Sequence, residues 1–381
     1  MRSLLNSLSL GKIVQVREKL LIAQAAGKEV FRFESGGPSF KVCEDVATAL
    51  IDALNKGKTE YVPNAGIPEL KKAIQQKLKI SNSWTVDTSD IFITNGAMNA
   101  LFCVFQVLLD IGDEVIIPDP MWTEIAENIV FAGGVPVRVP IKFENNFEYN
   151  PDDIEQAITP KTKAIFINSP HNPTGALLSQ ETLEAIIHIA KKHNLVIISD
   201  EAYEDIVFNG PKVELKTLDQ EVPIIGIYSF SKSYAMPGLR LGYAVLQDKS
   251  LHENMQKVMR CCVNGINSLA QWAGIEAMKH PYYSIEMQQI YAHRASIMYA
   301  ALSSIKGLRP FEPNGAFYIW CETSPELYKR MGVKTTDEFC DILIAQGIGV
   351  IPGDAFGPSC TNAIRFSFAC STESVQEGCE A

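Results

Sequence analysis

The chain has no apolar run approaching the ~20 residues that a membrane-spanning helix needs. It has no basic cluster either. Against 34 lysines and arginines stand 44 acidic side chains, and the net charge of −10 argues against nucleic acid as a partner. Nine cysteines occur without a Cys-x-x-Cys, and two of them, Cys261 and Cys262, are adjacent. An odd, scattered set fits reduced thiols in a cytoplasmic protein better than a disulfide framework or a zinc site. The opening Met1-Arg2-Ser3-Leu4-Leu5-Asn6 is broken by polar residues too soon for a signal-peptide core. No internal repeat or low-complexity segment is present. A Gly-x-Gly-x-x-Gly fingerprint is missing, which leaves a nicotinamide site unsupported. Gly57-Lys58-Thr59 resembles the tail of a P-loop, but Asp52 stands where its first glycine belongs and no strand precedes it.

What is present is an ordinary globular composition, 46% hydrophobic and 20% charged over 381 residues, long enough for two domains. The middle of the chain alternates. Short apolar runs at 91–94, 114–117, 135–139, 164–168, 196–199, 224–229 and 241–245 read as strands. Helical patterns at 97–109, 122–132, 151–158 and 179–193 separate most of them. The alternation predicts an α/β fold whose large domain holds a mainly parallel sheet of about seven strands. Right-handed crossovers then put the ligand along the edge where the strands end. Helices are expected at 12–28, stopped by Gly27, at 44–56, and at 67–80, opened by Pro68. Residues 250–305 also read as helical. Beyond them, strands near 315–320 and 363–368 and a helix near 335–346 predict a smaller α+β domain. Packed with the N-terminal helix, it is discontinuous: 1–44 with 276–381, around a large domain at 45–275. Little chain follows the 363–368 strand, so a shortened C-terminus with no room for a closing helix is expected.

One stretch organises the rest, Ser229-Phe230-Ser231-Lys232-Ser233 with Arg240 eight residues after the lysine. It follows the apolar Ile224–Tyr228 run. A lysine among small hydroxyl side chains just past a buried strand loses hydration, and its amine becomes nucleophilic as its pKa falls. Arg240, Ser229 and Ser231 add a fixed cation and two hydroxyls. The set suits a ligand with both a phosphate and an aldehyde, such as pyridoxal 5'-phosphate. An ordinary surface lysine is the plainer alternative.

Four other segments bear on the same ligand. Asn172 is the polar tip of Ser169-Pro170-His171-Asn172-Pro173-Thr174-Gly175, a loop that also reads as a rigid turn. Asp200 ends the next strand, where a buried carboxylate needs a cation, and a protonated pyridine nitrogen supplies one. Tyr203, three residues on, reaches the phenolate oxygen of the same ring; a helix N-cap aspartate with a packed tyrosine explains the pair as simply. Thr94-Asn95-Gly96-Ala97-Met98 joins a strand to a helix, whose N-terminal N–H groups hold a phosphate or merely close a tight turn. Trp122 stacks on a flat ring or fills core. Arg365 alternates with apolar neighbours on a strand and wants a bidentate anion, either a substrate carboxylate or a structural partner.

In order and spacing these segments resemble the class I/II aminotransferases, pyridoxal-phosphate enzymes of fold type I, from about residue 12 to 370. The resemblance implies that Lys232 is the Schiff-base lysine, with Asp200 and Tyr203 beside it as catalytic groups. It implies cofactor contacts from Gly96, Ala97, Met98, Trp122, Asn172, Ser229 and Arg240. Met98 departs from the more polar residue common there. Gly36, Trp122, Asn172 and Arg365 then face the substrate, Arg365 on its α-carboxylate. Tyr61, in Tyr61-Val62-Pro63-Asn64-Ala65-Gly66, matches a tyrosine lent to the neighbouring subunit's phosphate, which implies a homodimer with the site at the interface. The expected reaction moves an amino group from an L-amino acid to a 2-oxo acid, with aspartate and 2-oxoglutarate leading. Aromatic or neutral amino acids remain open, as does lyase or cyclase chemistry on the same fold. A dicarboxylic substrate needs a second cation, for which Arg260 of a partner subunit is a candidate and a solvated helix arginine the simpler reading.

Overall fold

Strands that are apolar at nearly every position must be covered on both faces, and that is how the larger sheet is built. The structure, a computed structural model, describes residue 8 and residues 11–381. The Met1–Asn6 stretch lies outside the described residues. Seven strands run β1 (Ile91–Thr94), β2 (Glu114–Asp119), β3 (Val135–Pro140), β4 (Thr162–Asn168), β5 (Val196–Asp200), β6 (Ile224–Ser229) and β7 (Gly242–Leu246). Their spatial order is β1-β7-β6-β5-β4-β2-β3. The pairs from β6 to β3 are parallel, whereas β7 runs antiparallel to both its neighbours. Alternate residues serve opposite faces, as the pleat requires. Val115, Ile117, Ala164, Phe166 and Ile198 pack with the helices at 97–108 and 252–262. Ile116, Ile165, Ile167 and Ile197 pack with Leu70, Ile74 and Leu78 of the 68–81 helix and Ile186 of the 180–193 helix.

A second, antiparallel sheet follows, with β8 (Leu308–Pro310), β9 (Tyr318–Thr323), β10 (Ile351–Pro352) and β11 (Ala363–Ser367) in the order β10-β11-β9-β8. Phe317, Ile319, Ile364 and Phe366 share one core with Tyr291 and Met298 of the 24-residue helix Pro281–Ser304. Trp320 and Arg365 sit opposite one another on the sheet and face the other way, toward the larger sheet. The N-terminal helix Lys12–Ala25 is tied to this part of the chain by ion pairs from Lys12 to Asp337 and Asp354 and from Lys19 to Asp341.

Two expectations need correcting. The chain closes with a nine-residue helix, Thr372–Glu380, capped by Ser371, whose side chain accepts from the Ser374 N–H. Its Val375 is fully buried beside the 281–304 helix, so a short tail suffices once it carries a cap and one apolar anchor. The N-terminal helix ends at Ala25, two residues short of Gly27, whose φ of +83° takes the chain out of the helix. Among the described residues, no helix is long and apolar enough to cross a membrane.

The two sheets meet at the loop after β4. The Gly175 carbonyl accepts from the N–H groups of Asn314 and Gly315, at 2.8 and 3.0 Å. Gly175 has φ +77°, and a Cβ there would lie 2.6 Å from Pro313 Cβ and 2.9 Å from the Tyr318 carbonyl oxygen. Gly175→Ala is therefore expected to cost about 2 kcal/mol or more of stability. Gly112→Ala, at φ +88° with nothing within 4 Å, carries the backbone strain alone. Urea unfolding of both variants should show the larger loss at position 175; equal losses would mean the contact is unimportant.

Candidate active site

The parallel strands end side by side. In register, Asn168 of β4 lies opposite Asp200 of β5, while Ser229 of β6 and Thr94 of β1 both lie opposite Gly242 of β7. The loops leaving these ends meet at a cavity of about 370 Å³, roofed by Tyr318 and Arg365 from the second sheet. A cavity of this size at strand ends is the usual seat of a small ligand in such a fold.

Lys232 sits in a one-turn helix, Phe230–Ser233, whose N-cap Ser229 accepts from the Ser231 N–H at 3.1 Å. The β6 strand drives straight into this turn, so the lysine is delivered to the cavity wall. Its Nζ donates to the Gly36 carbonyl and lies 5.6 and 5.4 Å from the ring centres of Tyr203 and Phe317. Enclosure by protein disfavours the ammonium, and repulsion from Arg365 and Arg240 adds to it; nearby Asp200 opposes both. The result is an amine held at about 8. Asp200 is 5% exposed, and its Oδ1 accepts from the Ala202 N–H at 3.0 Å. Burial and the neighbouring Glu201 push its carboxyl up to about 7, against the pull of Lys232 and the Ala202 bond. The capping role of this aspartate is thus real, but it satisfies only part of a buried carboxyl.

Arg365 is 2% exposed, on β11. Its Nη1 donates to Asn172 Oδ1 at 3.1 Å and its Nη2 to the Glu34 carbonyl at 2.8 Å, while Tyr318 and Phe356 lie 4.4 and 4.8 Å from the guanidinium. Its Nε has no partner. Among the described residues no carboxylate pairs with it, so the structural salt bridge left open above is not there. A buried guanidinium without an anion is an anion site. Asn172 is held in turn, its N–H on Asn168 Oδ1 at 2.9 Å. The Tyr203 hydroxyl pairs with that of Tyr318 at 2.8 Å.

Opposite these groups, Gly96 caps the helix Ala97–Leu108 with φ +81°. A Cβ at Gly96 would stand 2.6 Å from Arg240 Nη2, so only glycine lets the guanidinium close on that helix end. Arg240 is itself fixed by a bond from Nη1 to the Pro237 carbonyl at 2.9 Å. Ala97, Met98, Trp122, Gly36 and Asn172 line the cavity with Lys232, Asp200, Tyr203, Ser229, Arg240 and Arg365. Gly36 is pressed by Tyr318, whose hydroxyl would be 2.9 Å from a Cβ there. Two residues lie elsewhere. Tyr61 is 95% exposed and borders a separate hollow with Val62, Gly265 and Ile266. Arg260 is exposed on the 252–262 helix, outside the cavity.

Sequence reasoning missed Asn168, Met121, Glu124 and Tyr318 on the cavity wall. Asn168 had a signal, as the last polar residue of an apolar strand beside Asp200. Tyr318 lay inside a strand that read as core, and Glu124 looked like any first-turn acid.

A family model described as aminotransferase class I and II matches residues 28–381. The chain belongs to that family. It is 36% identical to the aspartate aminotransferase of Geobacillus stearothermophilus over 98% of this chain and 95% of that one. In structure it resembles the aspartate aminotransferase from Thermus thermophilus solved with maleate, at TM-score 0.93 and 33% identity, covering 100% and 98% of the two chains. It is equally similar to an alanine aminotransferase from Pyrococcus furiosus, at TM-score 0.93 and 30% identity with the same coverage. The mainly parallel seven-stranded sheet with a smaller second sheet is the architecture these neighbours share, and the family makes the chain a transaminase acting on amino acids and 2-oxo acids.

The family's chemistry needs a reactive amine, and the lowered Lys232 pKa makes one testable without any ligand. In the cofactor-free chain, labelling of Lys232 by an amine-selective reagent should rise through pH 8, two or more units below an ordinary lysine. Arg365→Met removes a repelling cation and should move the midpoint up; Asp200→Asn removes an attracting anion and should move it down. Peptide mass spectrometry across pH reads both shifts, and a midpoint above 10 in the wild type would refute the assignment.

Proposed function

We propose that the protein is a pyridoxal 5'-phosphate-dependent aminotransferase, working as a cytoplasmic homodimer. It moves the amino group of an L-amino acid to a 2-oxo acid, with aspartate and 2-oxoglutarate as the leading pair. One observation carries the reading. A single cavity brings together an amine held near 8, a buried carboxyl held near 7 and a buried guanidinium without a carboxylate partner. The residues fit the cofactor. Gly96 leaves a cradle beside Arg240 that a Cβ would fill, and Asp200 is a buried carboxyl in want of a cation. Ala97, Met98, Ser229 and Arg240, with Tyr61 reaching across a dimer interface, would hold the phosphate. Asn172 and Tyr203 would hold the ring oxygen, Asp200 the ring nitrogen, and Trp122 the ring face. Residues 45–275 form the cofactor-binding unit in this reading, and 1–44 with 276–381 the smaller one.

When bound, pyridoxal phosphate supplies an aldehyde for imine formation and a ring that takes up the electron pair left at the substrate's α-carbon. The chain's own residues do the rest. Arg365 grips the α-carboxylate and Asn172 steadies Arg365. Lys232, freed by the incoming amine, takes the α-proton on Nζ, and a pKa near 8 suits an amine that must also give the proton back. Asp200 keeps a proton on the ring nitrogen. A 2-oxo acid then runs the sequence in reverse.

The relatives named for aspartate favour a dicarboxylic substrate. A neutral or aromatic amino acid has its own support, since Met98, Met121 and Trp122 line the cavity, and its cations are Lys232, Arg240 and Arg365 alone among the described residues.

The purified protein should absorb in the visible, change colour with an amino acid, and yield a borohydride-reducible adduct on Lys232. Lys232→Ala should lose the adduct, and Arg365→Met should raise KM for amino acids about 10- to 100-fold, the worth of a charged hydrogen bond. A colourless protein that takes up no cofactor, or a variant at 365 with unchanged KM, would end the proposal.

A further inference from the structure

A substrate with a second carboxylate needs something to meet it, and the cations of the cavity are already engaged. Lys232 is on Gly36, Arg365 is on Asn172 and Glu34, and Arg240 closes on Gly96. Glu124 stands on the same wall, in the first turn of the helix Thr123–Phe131, among the cavity residues Met98, Met121, Trp122 and Ile13. Its Oε2 is buried and has no hydrogen-bond partner. A buried, unpartnered carboxyl oxygen at the wall of a substrate cavity asks for a ligand atom.

We infer, on the reading that this cavity transaminates amino acids, that Glu124 reads the substrate's side chain. As the neutral acid it donates a hydrogen bond to a second carboxylate; as the anion it turns such substrates away. Neutral side chains are accepted in either state.

The surroundings favour the neutral acid over an ordinary glutamate. Burial pushes the Glu124 carboxyl up, and Glu127, one turn along the same helix, adds repulsion. Arg365 from β11 pulls the other way, and the Tyr318 hydroxyl from β9 faces the pair. Asp200, Lys232 and Arg240 complete the charged lining. Two carboxyls brought together in a poorly solvated site share one proton, so a dicarboxylate arrives with a proton taken up. The sign follows. A raised pKa keeps the donor present to higher pH, and acceptance of dicarboxylates falls as pH climbs through it.

The test measures kcat/KM of the holoenzyme for aspartate and phenylalanine from pH 5.5 to 9, in wild type, Glu124→Gln, Glu124→Ala and Arg260→Ala. The wild-type aspartate-to-phenylalanine ratio should fall about tenfold per pH unit above the titration of Glu124. Glu124→Gln, whose amide donates at every pH, should keep aspartate and flatten the slope. Glu124→Ala should flatten it and lower the ratio about tenfold or more at low pH. Arg260→Ala should behave as wild type. Separately, calorimetry with maleate, a dicarboxylate without an amino group, in buffers of different ionisation enthalpy should show uptake of about one proton in wild type and none in Glu124→Gln. A flat wild-type ratio, an unchanged slope in Glu124→Gln, or loss of aspartate turnover in Arg260→Ala with both Glu124 variants unaltered would overturn the assignment. If no amino acid turned over at all, the transaminase reading would fall, and proton uptake with maleate would still decide Glu124.

Discussion

Three cations around one buried carboxyl set the terms for this structure. Lys232, Arg240 and Arg365 reach the cavity from a turn, a loop and a strand, and Asp200 sits among them at 5% exposure. Like charges held together in a poorly solvated space raise the energy of each ion, and a folded chain keeps them there only if the rest of the fold fixes their positions. The fixing is visible. Arg365 is held by Asn172 and Glu34, Arg240 by Pro237, Lys232 by Gly36. Each support comes from a different segment, and the excess positive charge relaxes in one of two ways, by Lys232 giving up its proton or by anions entering.

The sheet supplies the rigidity behind those supports. Its strands are buried on both faces, so their ends cannot drift without opening one core or the other. The reversed strand β7 matters here. Running against its neighbours, it begins where they end, and Gly242 lies against the Gly96–Ala97 backbone, leaving no room for a Cβ at 2.7 Å. That contact sets Arg240, two residues earlier, against the helix start at Ala97. A parallel strand would have carried Arg240 to the far edge.

Much of this was legible in the sequence, for physical reasons. The strands buried on both faces are short runs of Ile, Val, Leu and Phe, and they read to within two residues of their observed bounds. Lys232, Asp200 and Asn172 stood out because polar side chains at the ends of such runs are costly unless they have work to do. Arg365 read correctly as a buried cation wanting an anion, but its freedom from any carboxylate partner is a fact of three dimensions. Glu124 and Tyr318 left no trace. A first-turn glutamate is favoured at any helix start, and a tyrosine between Phe317 and Ile319 looks like core until its hydroxyl is seen against Tyr203. The closing helix was missed because nine residues with one buried valine carry too little periodicity to register.

Both sheets contribute to the lysine's chemistry, and this bears on how the amine is controlled. After burial, the largest influence lowering the Lys232 pKa is Arg365, which belongs to the second sheet. The Gly36 carbonyl that accepts from Lys232 precedes the 44–55 helix and lies against Tyr318 of that same sheet. A ligand carboxylate that neutralises Arg365 removes the repulsion and lets the amine hold its proton more tightly. Binding at the guanidinium and basicity at the amine are therefore linked through one electrostatic contact, with the sign that an amine about to receive a proton requires.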